Sequence, residues 1–166
     1  MTNAFTFPGQ GSQAVGMGKA LADAYPTAAR VFAEVDEALG QKLSQLMWDG
    51  PEAELTLTEN AQPALMAVSL AAMRVLEEKG VSLARDAAFV AGHSLGEYSA
   101  LAAAGALSIW DTARLLQRRG QAMQAAVPVG EGAMAALLGA DLDLARAIAA
   151  EAAAEANGVC EVANDN

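Results

Sequence analysis

Ala88-Phe89-Val90-Ala91-Gly92-His93-Ser94-Leu95-Gly96-Glu97-Tyr98 decides the fold. A short apolar run ends at Gly92, a serine stands between two glycines, and an alanine-rich helical pattern begins at once. That order predicts a strand over 87–91, a sharp turn, and a helix that reaches about Ala104 and stops at Gly105. A serine on such a turn is held at strained backbone angles, with its hydroxyl projecting clear of the sheet. Gly92 and Gly96 lack a Cβ, which lets strand and helix approach closely around the bend. The N–H groups at the helix start, that of Leu95 among them, point toward any charge that develops on a group attacked by Ser94. The unbroken apolar run suits a parallel strand buried on both faces.

The rest of the chain fits one α/β domain with an appendage. Its 166 residues are 54% hydrophobic and 18% charged, enough for a sizeable core and too apolar for disorder. A strand at Ala4-Phe5-Thr6-Phe7 runs into Pro8-Gly9-Gln10-Gly11-Ser12-Gln13, a loop of small and polar residues. Loops at strand ends of open α/β sheets hold ligands; a plain connection is the competing reading. Helices are predicted over 17–24, 26–39, 42–48, a further short one starting at Pro51 and, from Pro63 as its start, 63–79. Ser108 and Asp111 open another over 109–126, which Pro128 and Gly130 end. Beyond a boundary near 127–130 the pattern reads strand over 132–138, helix over 142–156 and strand over 159–163. This is a β-α-β unit that by itself cannot bury both faces of a sheet. The predicted division is thus 1–128 and 129–166.

Charge and cysteine content narrow the function. The net charge is −10, with 9 basic and 13 acidic residues up to position 130 and 1 and 7 after it. That balance disfavours nucleic acid, whose phosphates need clustered Lys and Arg. The single cysteine, Cys160, and the single histidine, His93, leave no disulfide framework and no zinc spacing, so no metal is expected. No uncharged run is long enough for a membrane span, and no signal-peptide pattern opens the chain, so a cytoplasmic protein is expected.

Ser94 needs a base, because an unassisted hydroxyl is a poor nucleophile at neutral pH. His93 is its chain neighbour, and adjacent side chains on the strand side of an elbow diverge, so His93 reads as structural. Glu97, in the first helical turn, is explained by the helix dipole. Arg114, Arg118 and Arg119 share one helix, but Arg119 is turned about 100° from Arg118, so one arginine can point inward alone. It could pair in two-point fashion with a substrate carboxylate; solvation near a helix end is the competing reading.

Phe7-Pro8-Gly9-Gln10-Gly11-Ser12-Gln13, Gln62-Pro63-Ala64-Leu65, Ala91 to Ala100 around Ser94, and Arg118-Arg119-Gly120-Gln121-Ala122-Met123 together resemble the malonyl-CoA:acyl carrier protein transacylases of fatty acid synthesis. The resemblance implies an α/β-hydrolase-like parallel-sheet core with a nucleophile elbow, followed by the first β-α-β half of a ferredoxin-like small subdomain. It implies that Ser94 becomes malonylated and that the N–H groups of Gln10 and Leu95 form the oxyanion hole. Arg119 matches the arginine that binds the malonate carboxylate, Gln62 and Met123 match pocket positions, and Asn164 and Asn166 match asparagines beside the acyl-carrier thioester arm. A coenzyme A thioester is then a substrate, no cofactor is needed, and the partners are malonyl-CoA and an acyl carrier protein. The family's catalytic histidine has no counterpart here, which implies a missing C-terminal half of the same enzyme. Two other readings share the elbow: an esterase or thioesterase, and a non-catalytic half-domain that needs its C-terminal partner.

Overall fold

The computed structural model describes residues 3–128 and 130–165, which form two compact units, Met1–Val129 and Gly130–Asn166. The larger unit is α/β. β1 (Ala4–Phe7) and β2 (Phe89–Gly92) pair in parallel, Ala4 opposite Phe89 and Phe7 opposite Gly92. Parallel pairing in this register brings both carboxyl ends to one edge, so the loop after β1 and the turn after β2 lie side by side.

Six helices make the crossover between the strands: α1 (Lys19–Ala24), α2 (Pro26–Leu39), α3 (Leu43–Asp49), α4 (Glu52–Thr56), α5 (Thr58–Glu78) and α6 (Leu83–Asp86). α7 (Leu95–Ala103) leaves the elbow, and α8 (Ile109–Ala126) follows it. α5 is the centre of the core. Its Ala61, Ala64, Ala67 and Ala71 are fully buried, and such small side chains let α2, α7 and α8 pack closely around it. Phe32, Val35, Leu43, Met47 and Leu116 are among the other members of the apolar cluster, and Phe32 meets Trp48 edge-on at 5.8 Å between ring centres.

The helices over 26–39 and 109–126 fall where the capping signals put them, and Ser108 Oγ accepts from the Asp111 N–H as its cap. Other expectations need correcting. α5 starts at Thr58, not Pro63, and Pro63 lies in its second turn. The extra turn is closed by the Leu57 carbonyl, which accepts from the N–H groups of Asn60 and Ala61. A proline this early in a helix removes only a single bond of the second turn. α1 begins at Lys19 rather than Met17, and α6 is an unforeseen turn whose Asp86 carboxylate accepts from the Ser82 N–H. β2 is not buried on both faces: Phe89 is 70% exposed and Ala91 is exposed. Among the described residues its sheet has two strands, too few to enclose it.

In the second unit, α9 (Leu142–Ala156) stands as expected, capped by the Asp141 carboxylate at its start and by Asn157 in the left-handed region at its end. The strands expected over 132–138 and 159–163 are absent among the described residues. A strand needs a partner for its N–H and C=O groups, and apolar alternation alone supplies none. Leu138 and Val159 are accordingly 94% and 91% exposed.

Candidate active site

Ser94 sits between β2 and α7 with φ 54° and ψ −113°, a backbone conformation that side chains other than glycine rarely adopt. The glycines around it permit the bend. A Cβ on Gly92 would run into the Gly96 carbonyl, and one on Gly96 would run into the carbonyl oxygen of Phe7 at the end of β1. The serine side chain is exposed, while the Leu95 side chain is buried beneath the turn. Leu95 is the first residue of α7, so its N–H belongs to the helix-start donors that have no acceptor within the helix.

Arg119 reaches this hydroxyl from α8. Its Nη2 donates to Ser94 Oγ at 3.0 Å, its Nη1 donates to Gln62 Oε1 at 2.5 Å, and its guanidinium carbon lies 5.9 Å from the centre of the Tyr98 ring. Arg114 and Arg118 are exposed and Arg119 is half-buried, as the angular separation on a helix requires. Gln62 is 1% exposed on α5, and its Nε2 donates to Thr58 Oγ1 at 2.8 Å and to Met123 Sδ at 3.4 Å. Thr58 in turn donates to Gln10 Oε1 at 3.0 Å. Gln10 lies in the loop after β1, which the Gln13 side chain closes by accepting from the Gly11 N–H.

The structure therefore brings Ser94, Arg119, Gln62, Met123 and Gln10 into one hydrogen-bonded set. The His93 ring lies against the same loop on another side: a Cβ on Gly9 would stand 2.7 Å from His93 Nδ1. Asn164 is exposed in the second unit, and Asn166 lies outside the described residues. No cluster of three or more His, Cys, Asp or Glu able to hold a metal occurs among the described residues. A cavity of about 600 Å³ lies elsewhere, between α6, the start of β2 and the end of α7, and none of the hydrogen-bonded set lines it.

Two participants escaped the sequence reading. Thr58 is four residues before Gln62 on one helix, a spacing that puts both on one face, but it is hidden while Pro63 is taken as the helix start. Gly120 follows Arg119, and a Cβ there would collide with the backbone of Glu59 and stand 2.7 Å from the Thr58 carbonyl oxygen. Its missing side chain lets α8 close on the first turn of α5, which sets Arg119 against Gln62.

A serine on a strand-turn-helix elbow, faced by an arginine and flanked by a glutamine-bearing loop, is an arrangement for acyl transfer, and comparison with known families agrees. The pattern of the family described as Acyl transferase domain matches residues 4–160. The chain belongs to this family. This acyl transferase domain is 51% identical over 163 residues to a malonyl CoA-acyl carrier protein transacylase of Bacillus subtilis, a match that takes in 98% of the chain and 50% of that relative. Among solved structures it is similar to an acyl-carrier-protein S-malonyltransferase of Bartonella henselae, with TM-score 0.93 and 59% identity over all of the chain and 52% of that protein. It is also similar, with TM-score 0.85 and 45% identity, to a malonyl-transacylase solved with a type II PKS acyl-carrier protein, covering 92% of this chain and 48% of that one. The acyl transferase domain chain thus spans about half the length of the relatives it matches. No helix among its described residues is long and apolar enough to cross a membrane.

Proposed function

We propose that the complete protein transfers a malonyl group from coenzyme A, through an ester on Ser94, to the phosphopantetheine thiol of an acyl carrier protein in fatty acid synthesis. One observation carries the reading: the Arg119 guanidinium is held between buried Gln62 and the Ser94 hydroxyl. An acyl group on that hydroxyl extends beside a planar, two-point donor, which a terminal carboxylate matches and a plain acyl chain does not. An esterase shares the elbow but has no use for such an arginine. The similar transacylases supply the acyl group and the carrier partner.

In this reading Ser94 Oγ attacks the thioester carbonyl and gives up its proton to a base. The N–H groups of Leu95 and Gln10 stabilise the oxyanion. Collapse of the intermediate expels coenzyme A as its thiol, the proton returning from the base. The carrier's thiol then attacks the Ser94 ester, the base takes the thiol proton, and the serine leaves protonated. Gln62 and Met123 line the acyl pocket, and Asn164 and Asn166 match, by sequence, asparagines that the family has beside the thioester arm. No cofactor or metal takes part, and the protein works in the cytoplasm. His93, the only histidine in the sequence, packs on Gly9, so the base comes from the half of the relatives' length outside the match.

Residues 1–128 form the first part of an α/β-hydrolase-like core, and 129–166 the first half of a ferredoxin-like subdomain. Its strands form when the other half provides their neighbours; exposed Met134, Leu138 and Val159 are the apolar positions they would bury. The test is intact mass spectrometry of the full-length protein after rapid mixing with malonyl-CoA, followed by peptide mapping. A malonyl adduct on Ser94, absent from Ser94→Ala, is expected. An adduct on another residue, or none under rapid quench, overturns the reading.

A further inference from the structure

We propose that Thr58 is a positioning residue that ties the Gln10 loop to Arg119, so that occupancy of the arginine by a carboxylate is felt at the loop beside the nucleophile. The inference rests on the transferase reading above and adds to it a residue and a coupling.

Donor and acceptor accounting fixes the direction of the hydrogen-bond chain. A guanidinium only donates, so the Gln62 amide must turn its oxygen toward Arg119. Its nitrogen is then committed to the other side, where it donates to Thr58 Oγ1. Thr58 receives that bond, so its single hydroxyl hydrogen is left for Gln10 Oε1. Every link donates the same way, from Arg119 through Gln62 and Thr58 to Gln10. Links in a one-way chain polarise one another, so a change in the charge seen by the first donor alters the strength of the last bond.

Thr58 cannot drift to compensate. Its carbonyl lies under Gly120, where α8 comes closest to α5, and the amide it serves is buried and needs an acceptor inside the protein. Replacing the hydroxyl by a methyl of similar size would orphan one Gln62 N–H and remove the donor to Gln10, leaving the core packing almost unchanged. The Gln62 amide would then keep only the weak Met123 sulfur as acceptor for its nitrogen, so its orientation, and with it the partner of Arg119, would be held less firmly.

The experiment compares wild type, Thr58→Val and Thr58→Ser in the full-length protein, reading the rate of Ser94 acylation with malonyl-CoA and with acetyl-CoA, together with the melting temperature. Thr58→Val is expected to lower the malonyl-to-acetyl rate ratio about tenfold, the worth of one hydrogen bond with a buried partner. Thr58→Ser should restore it. An unchanged ratio in Thr58→Val, equal losses with both acyl groups alongside a lowered melting temperature, or no recovery in Thr58→Ser each overturns the inference while leaving the transferase reading intact. A wild-type protein that forms no malonyl-Ser94 overturns both.

Discussion

In the proposed reading, acyl selectivity turns on Arg119. It donates to a buried amide and to the nucleophile at once, so its position is set before any substrate arrives. Preorganisation of this kind favours a ligand that replaces the serine contact with a carboxylate, because a carboxylate adds an opposite charge and a second acceptor oxygen that match the fork of the guanidinium. Arg119→Ala in the full-length protein should therefore lower malonyl transfer by roughly tenfold to a hundredfold, as expected for losing a hydrogen bond to a charged group. Acetyl transfer should fall far less. Steady-state rates with the two thioesters check this, and an unchanged ratio would mean that Arg119 does not contact the acyl group. The cation is also braced by Tyr98, whose ring centre is 5.9 Å away, so with Gln62 the side chain keeps two partners when the serine contact is broken.

At the scale of elements, the site is made by two close approaches: strand against helix at the elbow, and α8 against the first turn of α5. Gly120→Ala tests the second. The added Cβ meets the Glu59 backbone, which has no flexible end to move, so one helix must shift. Overpacking of this sort costs about 1–3 kcal/mol, readable as a lower denaturation midpoint, and the shift should also carry Arg119 away from Gln62 and slow malonyl transfer. A variant with wild-type stability and rate would show that the helices do not need this contact.

The elbow was legible in the sequence because the strand, the bend at Ser94 and the helix start follow one another in the chain and Gly92 meets Gly96 only four residues on, whereas the contact of Gly96 with Phe7 was not. The inward arginine was legible because helix geometry separates Arg119 from Arg118. The caps at Pro26, Ser108 and Asn157 likewise depend on neighbours in the chain. Thr58 was not legible because taking Pro63 as the helix start hid its place one turn before Gln62, and its bond to Gln10 joins residues far apart in the chain; Gly120 was not, because what matters about it is a contact with α5, some sixty residues away. The strands expected over 132–138 and 159–163 failed for the same reason, since pairing depends on partners that a local apolar pattern cannot supply. Phe89 misled in the opposite direction: its run reads as interior, yet burial depends on how many strands flank it.

For the whole molecule, the exposed apolar positions and a base that the proposed mechanism places outside residues 1–166 point to one outcome. Residues 1–166 expressed alone should give no turnover of malonyl-CoA and should self-associate, because Phe89, Leu138 and Val159 lie open to water. The full-length protein should be active and monodisperse. Light scattering and a thioester-release assay on both decide it, and turnover by the isolated 1–166 chain at the full-length rate would show that the base lies within this chain.

The backbone at Ser94 places activity and stability in opposition. At φ 54° and ψ −113° the nucleophile occupies a conformation that costs about 1–3 kcal/mol for any residue bearing a Cβ, and alanine inherits that cost. Glycine escapes it. Of these two variants, each expected to be inactive, Ser94→Gly should therefore melt at a higher temperature than Ser94→Ala. Selection acting on folding alone would remove the serine, so on the proposed reading its presence on this turn is a record of chemistry being selected against the grain of the fold.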